Sequence, residues 1–168
     1  MSHEQSVPHI HSNENEGRSH DRSSSLEDAT LARANKLIPP CVVSVIDLLE
    51  SAGYETWLVG GFVRDLLLER PLHDFDLTTA APWQQVKERC VAAGYAAHET
   101  GTKHGTITVV ADDTALEITT FRTEGVYLDH RHPSEVIFTD SIEEDLARRD
   151  FTVNAMAFHP KRGILDPF

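Results

Sequence analysis

The chain has 168 residues, 40% of them hydrophobic and 25% charged, with a formal net charge of −12. That is enough apolar content for one domain with its own core and too much for a disordered protein. No apolar run is long enough to span a bilayer and the N-terminus lacks the basic and apolar blocks of a signal peptide, so a soluble, cytoplasmic protein with no membrane partner is expected.

Residues 1–36 open with MSHEQSVPHIHSNENEGRSHDRSSSLEDAT, which has almost nothing to bury and reads as a flexible polar tail. Its histidines (His3, His9, His11, His20) are spaced irregularly and make no metal site. The folded part is expected over residues 37–168. Pro39 and Pro40 open a helix whose apolar positions Val42, Val45, Ile46 and Leu49 recur at helical spacing, and Gly53 ends it. Thr56 to Val59 reads as a strand, Phe62 to Leu68 as a short helix and Phe75 to Thr78 as a second strand. Pro82 starts an amphipathic helix through Trp83, Val86, Cys90 and Val91, stopped by Gly94. Thr106 to Val110 and Ala115 to Phe121 are β-rich runs joined by Asp112-Asp113, an antiparallel pair. A polar loop follows, then a charged helix from Ser141 to Arg149 and a last apolar run from Val153 to Phe158. Helices alternating with a mixed sheet, and no internal repeat, define an α/β or α+β domain. Cys41 and Cys90 fall in apolar helical patterns and read as buried reduced thiols.

The stretch from Trp57 to Thr79, WLVGGFVRDLLLERPLHDFDLTT, concentrates the chemistry. Gly60 and Gly61 after a strand let backbone approach a ligand closely, and the next helix points N–H groups and the positive end of its dipole there. Phosphate is the guest such a turn suits, and Arg64 adds a charge-assisted contact to a phosphate oxygen. Asp74 and Asp76 are two residues apart on a strand, so both project from one face while Phe75 turns to the core. Paired carboxylates suit Mg²⁺, which takes sparse carboxylate ligation completed by phosphates and water. A phosphate cradle beside metal carboxylates points to nucleotide chemistry. Against this, Gly-Gly is common in turns and a lone D-x-D is usually surface charge; the combination carries the reading.

LVGGFVRDLLLERPLHDFDLTTAAP resembles the first motif of the class II tRNA nucleotidyltransferases and bacterial poly(A) polymerases, members of the DNA polymerase β nucleotidyltransferase superfamily. HGTITVV, LEITTFRTEG, YLDHRHPSEV, EEDLARRDFTVNAMA and ILDPF resemble the same head domain in order. The resemblance implies a polymerase β-like head, a mixed and mainly antiparallel sheet flanked by helices. It implies Gly60, Gly61 and Arg64 at the nucleotide's phosphates, Asp74 and Asp76 on Mg²⁺, and Glu117 as a third catalytic carboxylate. Arg149, Asp150 and Asn154 match the second motif, associated with the ribose and triphosphate, whereas Arg148 is read as structural. Arg122, Tyr127, Asp129, Arg131 and Pro133 match the flexible loop that accompanies the switch from C to A addition.

The activity so implied is addition of CCA to tRNA 3′ ends from CTP and ATP. An A-adding enzyme, a poly(A) polymerase head, a small-molecule nucleotidyltransferase and a nucleotide-binding fragment inactive without its neck are the alternatives. Acidic residues outnumber basic ones 27 to 15, which argues against a strong RNA grip by this segment. The chain ends at ILDPF without the neck's E-D-x-x-R motif, so an isolated catalytic head is expected, with RNA held mostly by absent domains. Of the remaining candidates, His73-Asp74 resembles the dipeptide of HD phosphohydrolases without their other ligands, and His104 reads as a turn residue bonded to backbone. Trp57, Trp83 and Phe121 read as core. Glu143, Glu144 and Asp145 read as a solvated capping face at a helix start.

Overall fold

Side-chain alternation along the central strands decides the layering. The structure, a computed structural model, describes residues 28–123, 136–149 and 154–168. Helix α1 (residues 28–37) leads into α2 (Pro40–Glu50), whose buried stripe is Cys41, Val42, Val45, Ile46 and Leu49. Gly53, at φ +87°, turns the chain out of α2 into β1 (Thr56–Val59). Then come α3 (Gly61–Leu67), β2 (Phe75–Thr79), α4 (Trp83–Ala92), β3 (Ala96–Gly101), a 3₁₀ turn (Thr102–His104), β4 (Thr106–Ala111) and β5 (Thr114–Thr120). The β4–β5 turn places Asp112 and Asp113 at positive φ, the conformation of a tight hairpin. β6 (Arg122–Thr123), β7 (Ile137–Phe138), α5 (Ile142–Ala147), β8 (Ala157–His159) and β9 (Gly163–Leu165) complete the described elements.

Seven strands form one sheet in the order β3-β4-β5-β2-β1-β8-β9. Its pairings are antiparallel except that of β2 with β5 at the centre, so the expected mixed, mainly antiparallel sheet flanked by helices is what forms. A two-stranded ribbon, β6–β7, stands apart from it.

Leu58, Phe75, Leu77, Ile107, Val109, Leu116 and Ile118 point from the sheet into the main core, against Val42, Val45, Ile46, Leu49, Phe62, Val86 and Cys90 of the helices. The opposite face is divided. At the β1–β8 side, Trp57, Val59, Phe121 and Ala157 pack under Ile142 and Leu146 of α5 in a second, smaller core. Toward β4 the same face is polar, because β2 and β5 turn Asp76 and Glu117 outward between buried neighbours. The site lies where that face is left open.

Several elements differ from expectation. Residues 28–36, assigned to the tail, belong to the folded body: Ala34 is fully buried, Leu31 packs on the core, and Asn35 Nδ2 donates to Pro160 O at 3.0 Å. The apolar stripe of Leu31, Ala34 and Ile38 is one residue per turn and hides among charges. Strands β3 and β9 were not expected either; both lie at sheet edges, where few side chains are buried. Helix α5 is shorter than Ser141–Arg149: Ser141 is its N-cap, with Oγ accepting from Glu144 N at 3.3 Å, and Arg148 is its C-cap.

Candidate active site

Parallel pairing places Asp76 on β2 directly beside Glu117 on β5, and Thr108 of β4 beside Glu117 in turn. Both acids are exposed on the open face while Phe75, Leu77, Leu116 and Ile118 around them are buried. Asp74 sits one residue before β2 and is also exposed. Partial desolvation of its carboxyl raises the pKa of Asp76, the negative charges of Glu117 and Asp74 raise it further, and Arg149 opposes them. Glu117 from the neighbouring strand and Asp74 from the lead into β2 thus both bear on the Asp76 carboxyl.

Gly60 closes the site from the β1 side, since β1 pairs Val59 with Asp76. It holds φ +70° and ψ −136°, and a Cβ there would stand 3.5 Å from Asp76 Oδ2. Glycine is required by the dihedrals, and its bareness leaves the backbone open toward the carboxylate. Gly61 starts α3, and a Cβ on it would lie 3.3 Å from Arg64 Nη2. Arg64 forks onto its neighbour Asp65, Nε to Oδ1 at 3.0 Å and Nη2 to Oδ2 at 3.1 Å, a pairing that holds the Asp65 carboxyl below its usual range. An incoming phosphate would compete with that carboxylate.

Asp145 overturns its reading as a solvated acid. Glu143 and Glu144 are exposed, but Asp145 is fully buried. Its Oδ1 accepts from Arg122 N at 3.1 Å and from Arg148 Nε at 3.1 Å; its Oδ2 accepts from Thr78 Oγ1 at 3.2 Å and Arg149 Nη2 at 3.1 Å. A buried carboxylate is tolerated only with such partners. Arg148 pairs with it as well as Arg149 does. The signal was present in D-L-A-R-R, where the acid meets both arginines at helical i,i+3 and i,i+4 spacing.

Arg122, at the start of β6, also donates from Nη1 to His104 O at 2.9 Å, and this carbonyl contact fixes the 3₁₀ turn. Burial and the charges of Arg148 and Arg149 lower its pKa, with Asp145 and Glu117 opposing. Asn154 is half-buried just before β8. Tyr127, Asp129, Arg131, Pro133 and Asp150 lie outside the described residues. Trp57 and Phe121 are buried, and Trp83 is half-buried against the main core.

Among the described residues, no group of three His, Cys, Asp or Glu is gathered tightly enough to enclose a metal ion. The donor set nevertheless fits a hard divalent ion of the Mg²⁺ type: oxygen donors on adjacent strands, mutually repelling, with room for a ligand's phosphates and water to fill the remaining positions. Among the described residues, no helix is long and apolar enough to cross a membrane.

A family model for the poly A polymerase head domain matches residues 56–168, and the chain belongs to that family. The CCA-adding enzyme of Lactobacillus delbrueckii is 49% identical over 124 residues, 74% of this chain and 30% of that protein. The CCA-adding enzyme of Geobacillus thermodenitrificans is 48% identical over 126 residues, 75% of this chain and 30% of that protein. The Bacillus stearothermophilus CCA-adding enzyme in complex with CTP superposes with a TM-score of 0.67 at 40% identity, over 78% of this chain and 31% of that one. A tRNA nucleotidyltransferase complexed with a primer tRNA and an ATP analog superposes at 0.55 and 29% identity, over 74% of this chain and 34% of that one. The chain therefore spans about 30% of the curated relatives it matches.

Proposed function

We propose that this chain is the catalytic head of a cytoplasmic tRNA nucleotidyltransferase that transfers CMP and AMP from CTP and ATP to tRNA 3′ ends, building CCA. The in-register Asp76–Glu117 pair on an open sheet face, flanked by Gly60, carries the reading. The CCA-adding relatives supply the substrate class, including a neighbour complexed with CTP and another with a primer tRNA and an ATP analog.

Asp74, Asp76 and Glu117 would hold Mg²⁺, which when bound supplies charge neutralisation on the phosphates and acidifies the attacking hydroxyl. Gly60 and Gly61 admit the triphosphate to the backbone. Arg64 and Arg149 bind its oxygens, and Asp150 and Asn154 select the ribose. Tyr127, Asp129 and Arg131 serve the change from C to A, and Arg122 stands just ahead of that segment in the chain. No covalent intermediate is needed: in an in-line displacement the hydroxyl gives up its proton to solvent, its oxygen bonds to the α-phosphorus and pyrophosphate leaves.

Calorimetry with CTP, ATP and dATP, each with and without Mg²⁺, tests the reading alongside Asp74→Ala/Asp76→Ala. Mg²⁺-dependent binding of CTP and ATP, weaker for dATP and lost in the double variant, is expected. A folded wild-type chain that binds none of them refutes it.

A further inference from the structure

Asp145 is the one fully buried acid among the described residues, and it joins three parts of the molecule that the chain brings from far apart. Oδ2 takes Thr78 from β2, two residues beyond Asp76 on the same face, together with Arg149. Oδ1 takes the amide of Arg122 at the foot of β6 and the guanidinium of Arg148. We propose that Asp145 is a positioning residue for nucleotide binding: it aims the Arg149 guanidinium along the open face toward Asp76, and in the same grip registers the β6 stem. This rests on the nucleotidyl-transfer reading above.

Arg149 is well placed to be aimed. Its side chain is 18% exposed, and among the described residues its Nε is buried without a hydrogen-bond partner, a donor left over once Nη2 is spent on Asp145. Its Nη2 shares Asp145 Oδ2 with the hydroxyl of Thr78, which stands two residues from Asp76 on β2. A guanidinium held at Nη2 against a buried acid, with Nε turned inward, presents its remaining Nη1 in a fixed direction, which suits Arg to a phosphate oxygen. Held loosely, the same side chain loses that preorganisation on every binding event.

The sign of one substitution separates positioning from mere charge. Asp145→Asn removes a negative charge near an anion site, so long-range electrostatics alone predicts equal or tighter CTP binding. Positioning predicts the reverse. We expect CTP affinity, measured by calorimetry with Mn²⁺, to fall at least about tenfold in Asp145→Asn. Mn²⁺ affinity without nucleotide, read by electron paramagnetic resonance, should stay within about twofold of wild type, since Asp76 and Glu117 are untouched. In an Arg149→Ala background, Asp145→Asn should add nothing further, because it acts through that arginine.

Thr78→Val provides a gentler disturbance should Asp145→Asn fold poorly. It takes one donor from Oδ2, keeps side-chain volume, and should weaken CTP several-fold in wild type but not with Arg149→Ala. Undiminished CTP binding in a folded Asp145→Asn or Thr78→Val protein, or losses that add to that of Arg149→Ala, overturns the positioning role while leaving the nucleotide reading intact. Wild-type protein that binds Mn²⁺ but not CTP overturns both.

Discussion

His159 reaches from β8 to Glu50 on α2, Nε2 standing 3.1 Å from Oε2. Its other nitrogen accepts the backbone N–H of Lys161 at 3.0 Å and of Arg162 at 3.3 Å, which fixes the neutral tautomer with its proton on Nε2. Protonation would set an N–H of the ring against two backbone donors. Burial lowers the pKa of His159 below its ordinary value, Arg162 and Lys161 push the same way, and Glu50 opposes. With the folded value below the unfolded one, the stability from this group is fully present above about pH 6.5 and is lost as pH falls through the folded value. Urea midpoints should decline from about pH 7.5 to about pH 5, and the part due to this residue should vanish in His159→Phe. A profile identical in the two proteins contradicts the assignment.

Asp76→Asn should separate stability from function. The native carboxylate is partly desolvated and repelled by Glu117 and Asp74, so its folded pKa is raised and its ionisation weakens the fold. That loss sets in as pH rises from the ordinary carboxylate range and grows through the folded value. In chelator at neutral pH, the amide variant should therefore melt higher than wild type, while its nucleotide transfer, assayed with Mg²⁺, drops to background. A variant that melts lower would mean the carboxylate is favourably bonded and not strained.

Two glycines with positive φ allow a paired test of the site's backbone. Gly60 faces Asp76 Oδ2, whereas a Cβ at Gly53, φ +87°, would meet nothing within 4 Å. Alanine at either should cost about 1–3 kcal/mol of stability through backbone strain alone. Alanine at Gly60 should in addition weaken Mn²⁺ and CTP binding; alanine at Gly53 should leave both as they are. Equal ligand affinities in the two variants would deny Gly60 its place in the site.

The small core under α5 should matter as much as the large one. Phe121 is fully buried there and its amide donates to Thr79 O at 2.7 Å. Phe121→Ala should cost about 3–5 kcal/mol, the usual range for a buried phenylalanine. Phe138, 49% exposed on the β6–β7 ribbon, should cost within about 0.5 kcal/mol when truncated. Comparable losses at the two positions would show that the ribbon is part of the core.

What could be read in the sequence was local. Thr56–Val59 and Phe75–Thr79 announce themselves because each is a run of β-forming residues with Gly, Pro or Asp at its ends. The edge strand Ala96–Gly101 does not, because an edge needs few apolar side chains and AAHETG has few. The meeting of Asp76 with Glu117 depends on a parallel register between strands far apart in sequence, which no local period encodes; the family resemblance supplied it. Asp145 was misread for a different reason: three acids in a row at a helix start satisfy the dipole argument, and that argument does not reveal which one turns inward. Its spacing to Arg148 and Arg149 was the better guide.

Strands β2 and β5 are neighbours at the centre of the sheet, yet α4, β3 and β4 intervene between them in the chain. That excursion must be folded back before the central pair can close, and such non-local closure is slow. The two carboxylates come face to face only when that excursion closes, so their repulsion opposes the closing step. A divalent ion bound at the pair would stabilise the finished sheet by mass action and slow its opening. Such an ion would act as the fastener of the fold, so that starving the protein of it would shorten the lifetime of the folded state itself.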